Sequence, residues 1–197
     1  MPLLKQELEI FPEALFGLPE KDFPWWVAHT RSRQDKALAR YLLPLQVPFY
    51  LPCREHRSRR AGRTFVSYLP LFPGYLFFRG PAVSRHLALR SNLVVQILEV
   101  RDQSLLAQEL MQIRHLQEAG AGLVPYVDVA PGDPVRITEG PFKGYTGIVL
   151  RAQGRLRLLV SISMLRRAVA VDLEREIVAS SPLNSLNRQK ERRAAVR

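Results

Sequence analysis

The chain has 197 residues, 47% of them hydrophobic and 24% charged, with a formal net charge of +11. That length suits one large domain or two small ones, and no apolar run reaches the ~18 residues needed to span a bilayer. One cysteine, Cys53, rules out an intrachain disulfide, and the acidic N-terminus lacks the basic region and apolar block of a signal peptide, so a cytoplasmic address is expected.

The charge is unevenly spread. Residues 1–24 hold two lysines against five carboxylates, whereas residues 25–79 hold ten Lys or Arg against Asp35 and Glu55. So basic a block attracts polyanions, nucleic acid first. An anionic membrane would want a basic amphipathic helix, and these arginines fall in a turn-like stretch.

Taken in chain order, residues 1–24 carry Pro2, Pro12, Pro19 and Pro24 with little periodicity and are expected to form an irregular leader. WWVAHT, Trp25 to Thr30, is aromatic and β-branched and predicts a strand. SRQDKALARYLL predicts a helix, with Ser32 and Asp35 at capping-box spacing and Pro44 as its stop. VPFYLPC, Val47 to Cys53, predicts an edge or bulged strand and places Cys53 in apolar surroundings as a buried thiol. REHRSRR then precedes the turn signal at Ala61 to Arg63, and TFVSYL predicts another strand. Pro73-Gly74 bends the chain before a strand over YLFF. Pro81 opens a short helix to about Arg90, and LVVQILEV, Leu93 to Val100, predicts a buried strand. Ser104 is expected to cap a helix whose stripe is Leu106, Leu110, Ile113 and Leu116. The order predicts an α+β domain: an antiparallel sheet with helices on a ferredoxin-like plan.

The texture then changes. Gly120 to Asp133 has glycines, prolines and no helical period, and a linker is expected over 120–130. Beyond it, PVRIT, YTGIVLR, RLRLLVSI and RAVAVDL are short, β-rich and separated by tight turns, which predicts a small all-β barrel over 131–180. Residues 181–197 form a basic tail expected to be disordered. Within PGDPVRITEGPFKGYTGIV, Gly132 and Gly140-Pro141 mark turns, while Gly144 and Gly147 suit a sharply bent strand.

That last stretch resembles a KOW motif. Preceded by WWVAHT and by LFPGYLFF, it resembles the order of parts in the NusG family of transcription elongation factors, over about Trp25 to Ala179. The resemblance implies an N-terminal NGN-type domain over 25–119 and an SH3-like KOW barrel after it. It implies an elongation or antitermination factor, with RNA polymerase, through its clamp helices, as first partner. The F-P-G-Y match carries the docking role to Phe72, Pro73, Gly74 and Tyr75, with Phe77 next along the strand. Trp26 and His29 join them by position, and Tyr75 and Phe77 are expected to face outward. Nontemplate or upstream DNA is the second implied partner. Arg31, Arg33 and Lys36 follow the first strand, Arg57, Arg59, Arg60 and Arg63 sit about the hairpin turn, and Arg90 is a further candidate.

The barrel is implied to recruit a small-subunit ribosomal protein or Rho through Ile162, Met164, Leu165, Arg166 and Arg167. Here Leu165-Arg166-Arg167 replaces the aromatic-glycine pair of the housekeeping pattern. L-F-P-x-Y-L-F after V-S-Y-L-P looks closer to specialised, RfaH-like paralogues. A monomer with no membrane partner is expected. A KOW-containing, ribosome-associated RNA-binding protein is the alternative reading, motivated by the basic tail. No P-loop, GxSxG, HExxH or CxxC occurs, and His29, His56, His86 and His115 lack metal-ligand spacing, so no catalytic residue, metal or cofactor is expected.

Overall fold

The computed structural model describes residues 8–60, 62–127, 134–136, 143–152 and 155–173. The chain divides into two compact units, Met1–Arg114 and His115–Arg197. The first contains strands β1 (Ile10–Phe11), β2 (Trp25–Thr30), β3 (Phe49–Tyr50), β4 (Cys53–Arg60), β5 (Arg63–Pro70), β6 (Tyr75–Arg79) and β7 (Val94–Glu99). Helices α1 (Asp35–Leu42) and α2 (Ala82–Arg90) belong to it, and α3 (Gln103–Glu118) carries the division between the units. Five strands form an antiparallel sheet in the order β1-β3-β6-β2-β7, while β4 and β5 pair with each other as a separate two-stranded sheet.

Alternation in the central strands sends side chains to two faces. Ala28, Leu76 and Phe78 point to the face covered by Leu38, Ala39 and Leu42 of α1 and Ala88 of α2. Trp25, Val27, Tyr50 and Phe77 point the other way, and they too are buried.

Part of that second face is covered by the segment expected to be an irregular leader. Strand β1 pairs with β3, Ile10 opposite Tyr50 and Phe11 opposite Phe49. Leu15 is buried, and the Phe16 ring packs 5.8 Å from Trp25 and 5.6 Å from Tyr50. The prolines remove helical periodicity but not the need to cover apolar surface; Leu15 and Phe16 help cover this face, while Phe11 packs beside Phe49 on the α1 side. Arg79 clips this segment down. Its Nε donates to the Phe23 carbonyl at 2.7 Å and its Nη1 to the Leu15 carbonyl at 2.9 Å, with the guanidinium carbon 5.0 Å from the Trp25 ring centroid. Burial pulls the Arg79 pKa below its usual range, opposed by the charge of Glu20.

Other local expectations shift in instructive ways. Residue Gln34, not Ser32, precedes α1, and no side chain caps it. Asp35 is turned inward instead, accepting from the backbone N–H of Lys36 at 2.9 Å and of Gly74 at 3.2 Å. Helix α3 is capped two residues earlier than expected by Asp102, which accepts from the Leu105 N–H at 2.9 Å, so Ser104 lies inside the helix. Its stripe of Leu106, Leu110, Ile113 and Leu116 is buried as its spacing predicts. Strand β7 is the sheet's edge rather than a buried strand, and Val95 is 60% exposed. REHRSRR is strand β4, not a turn. Cys53 is buried, its Sγ 3.4 Å from the Leu51 carbonyl.

The second unit is an antiparallel sheet of β8 (Val124–Val127), β9 (Pro134–Arg136), β10 (Thr146–Ala152), β11 (Arg155–Ile162) and β12 (Arg167–Leu173), in the order β8-β12-β11-β10-β9. The last four match the strands predicted from sequence. Strand β8 falls within the expected linker and pairs with β12, Tyr126 opposite Ala168. Gly147 has a role other than a bend: a Cβ there would meet the Leu159 carbonyl oxygen at 2.3 Å, so only glycine lets β10 approach β11 this closely. Gly132, Gly140-Pro141 and the tail at 181–197 lie outside the described residues.

Candidate functional site

Strands β6 and β2 place the expected docking residues in two very different environments. Phe72 and Phe77 are core residues, Phe77 at 0% exposure, with the two rings edge-to-face at 5.9 Å. The outward orientation expected for Phe77 is therefore corrected: both faces of this central strand are covered. Trp26 lies opposite Phe78, on the face covered by α1 and α2, where its Nε1 donates to the Gly80 carbonyl at 2.9 Å. It thus shares no face with His29.

What stays accessible is the end of the sheet. His29 and Tyr75 are directly opposite each other, half-buried, and their rings stack at 5.0 Å and 19°. Gln96, exposed, continues the row across β7. Beside this row Pro73 is exposed and Gly74 turns the chain at φ +83°, a conformation that glycine adopts cheaply. The turn is tied at both sides, by Gly74 N–H to Asp35 and by Thr30 N–H to the Gly74 carbonyl at 2.8 Å. Asp35, unremarked as a functional residue in the sequence, is thus the anchor of the F-P-G-Y turn. Its one sequence signal was an acid at the start of a helix, which also reads as a cap.

The basic candidates fall into two groups. Arg31 and Arg33 are exposed just after β2, and Lys36 is half-buried in the first turn of α1. Arg31 donates from Nη2 to the Asn92 side-chain oxygen at 2.8 Å and from its backbone N–H to the Leu93 carbonyl at 2.8 Å, which brings it beside the exposed end of α2 where Arg90 stands. The second group rides the β4–β5 hairpin. Arg57 and Arg59 are exposed along β4, not at its tip, and Arg63 is exposed at the start of β5. Arg60 pairs with Arg63 in the register, next to the turn signal of the sequence. Arg57 donates from Nε to the Glu55 carboxylate, which raises the Arg57 pKa further.

In the second unit, Ile162 is fully buried and belongs to the core rather than to a contact surface. The 3-10 turn Ser163–Leu165 follows it, with Met164 37% exposed, Leu165 half-buried and Arg166 exposed in the left-handed region at φ +52°. Arg167, half-buried, begins β12. No group of three or more metal-ligating side chains occurs among the described residues, and no described helix is long and apolar enough to cross a membrane.

Residues 23–115 match the family model of the transcription termination factor nusG. That range holds β2 through β7, the His29–Tyr75 row and both basic groups. The chain is also 27% identical, over 175 aligned residues, to the transcription termination/antitermination protein NusG of Xylella fastidiosa (strain 9a5c), covering 76% of this chain and 95% of that protein. The aromatic strand pair β2–β6 and the F-P-G-Y turn that Asp35 anchors both fall in residues 23–115, the region that matches the NusG family model.

Proposed function

We propose that this protein is a transcription termination/antitermination factor that docks on the clamp helices of RNA polymerase through the end of its N-terminal sheet. The observation that carries this reading is the stacked, accessible His29–Tyr75 pair beside the Pro73-Gly74 turn, inside the region that matches the NusG family. Two flat rings already stacked on each other lose little side-chain freedom on docking, and each brings an apolar body with a polar tip to a coiled-coil surface. Arg31, Arg33, Lys36 and Arg90 flank this end and contact the nontemplate strand; the hairpin, with Arg57, Arg59, Arg60 and Arg63, meets upstream DNA. Such phosphate contacts are salt-sensitive and largely blind to sequence.

The second unit, read as a KOW barrel, recruits a further partner through Met164 to Arg167. The Leu165-Arg166-Arg167 sequence, with L-F-P-x-Y-L-F upstream, supports a specialised RfaH-like paralogue rather than the housekeeping factor. The protein acts by binding, without catalysis and as a monomer.

Co-purification with RNA polymerase tests the docking surface. Tyr75→Ala and His29→Ala, each with an unchanged unfolding midpoint, are expected to lose at least tenfold in affinity, in the range of interface hot spots of about 1.4 kcal/mol or more. Full retention by both variants removes the assignment.

A further inference from the structure

The β4–β5 register separates the hairpin's residues into two unlike faces. Paired residues share a face, so Glu55, Arg57 and Arg59 lie with Tyr68, Val66 and Thr64. Arg54, His56 and Ser58 lie with Leu69, Ser67 and Phe65, and Arg63 is two residues before Phe65 on that same side. Glu55 is the one carboxylate in the sequence between Cys53 and Pro70, and it is engaged with Arg57 on the first face. The second face carries no acid. At its centre Phe65 is 45% exposed, directly opposite Ser58, whose short side chain leaves the ring open. His56, exposed, is its diagonal neighbour, and Arg63, also exposed, stands beside it on the same strand.

An exposed ring on an acid-free face that also carries Arg54, His56 and Arg63 has the two elements that single-stranded nucleic acid requires, a stacking platform and a partner for phosphate. A duplex meets only half of this, because its bases are already stacked and offer no open π-face at the groove. We propose that the Phe65 face of the hairpin binds single-stranded nucleic acid, with one unpaired base stacked on Phe65 and the adjoining phosphates held by Arg63 and the β4 cations. The assignment rests on the reading of the hairpin as a nucleic-acid contact and narrows it to an unpaired strand.

Fluorescence anisotropy with the full-length protein tests it, using a labelled DNA single strand of about 12 nucleotides, within the site sizes of such surfaces, and the matching duplex. Phe65→Leu is expected to weaken single-strand binding roughly 5- to 100-fold, the range for loss of one stacked base, and to leave duplex binding unchanged. Phe65→Trp, which restores a flat ring, is expected to bind the single strand at least as well as the native protein. Wild-type single-strand affinity in Phe65→Leu, the result for a ring that docks on an apolar protein surface, overturns the proposal, as does an equal loss on duplex. Arg59→Gln with Arg63→Gln distinguishes the levels. If that variant weakens both probes while Phe65→Leu weakens neither, only the stacking is wrong. If it weakens neither, the hairpin is not a nucleic-acid surface at all.

Discussion

Strand β6 and the hairpin β4–β5 lie close in sequence, one dense in rings and the other in arginine, and the fold uses them in opposite ways. Strand β6 has β2 on one side and β3 on the other, with α1 and α2 over one face and the N-terminal segment contributing to the cover of the other. It buries Leu76, Phe77, Phe78 and Arg79 together. Among the described residues the hairpin has no third strand, and it exposes Phe65, Val66 and Leu69 along with Arg57, Arg59 and Arg63. The same chemical feature, a run of apolar residues in a strand, therefore means core in one place and free surface in the other. What decides is the number of covered faces, a property of topology rather than of the strand.

The largest test of this contrast is Phe77→Ala. Truncating a fully buried ring costs about 3–5 kcal/mol, read as a lower urea midpoint at unchanged slope. Phe65→Ala on the open hairpin is expected to move the midpoint by no more than about 0.5 kcal/mol. Equal effects at the two positions would erase the distinction.

Arg79→Ala is next, at about 2–3 kcal/mol, because it strips the Leu15 and Phe23 carbonyls of a charged donor and opens space beside Trp25. Its effect is expected to be local first. Hydrogen exchange at Phe11 and Leu15 rises before exchange at Val27 or Leu76 does, since the clip holds the N-terminal segment and the central strands hold themselves. Uniform loss of protection would mean that the segment and the sheet unfold as one unit.

These residues also show what the sequence discloses and what it withholds. The periodic elements were readable: the stripe of α3, the strand β2, and β10 to β12 follow from local spacing, which needs no knowledge of neighbours. The N-terminal segment is not readable, because Ile10, Phe11, Leu15 and Phe16 have no period of their own and take their order from the sheet they pack against. Strand β4 was hidden for a related reason. A two-stranded ribbon wet on both faces can be built from arginine, histidine and serine, so it shows no hydrophobic alternation. For the candidate site, the F-P-G-Y turn and the parity of the strand are both legible: Tyr75 and Phe77 share a face, yet only its Tyr75 end remains uncovered. Phe65 reads in the sequence as one aromatic in a predicted strand, and only the register shows that the short side chain of Ser58 lies across from it.

The smallest effect on the fold should accompany the clearest effect on binding. Arg59→Gln with Arg63→Gln removes two exposed charges near the tip of the ribbon, away from Cys53 and Tyr68, which join the core at its base, so its unfolding midpoint is expected to stay within about 0.5 kcal/mol of the native value. The two positions lie on opposite faces of the ribbon. If each contacts phosphate, the slope of log K against log salt falls by about 0.7 per residue on a single strand and about 0.9 on a duplex. A fall near one residue's worth assigns phosphate to one face alone, and the single replacements identify which. Because Arg59 shares its face with the Arg57–Glu55 pair, the expected order is a larger loss from Arg63→Gln than from Arg59→Gln on the single strand. The reverse order would move the nucleic acid to the Val66 face and leave Phe65 without a role in it.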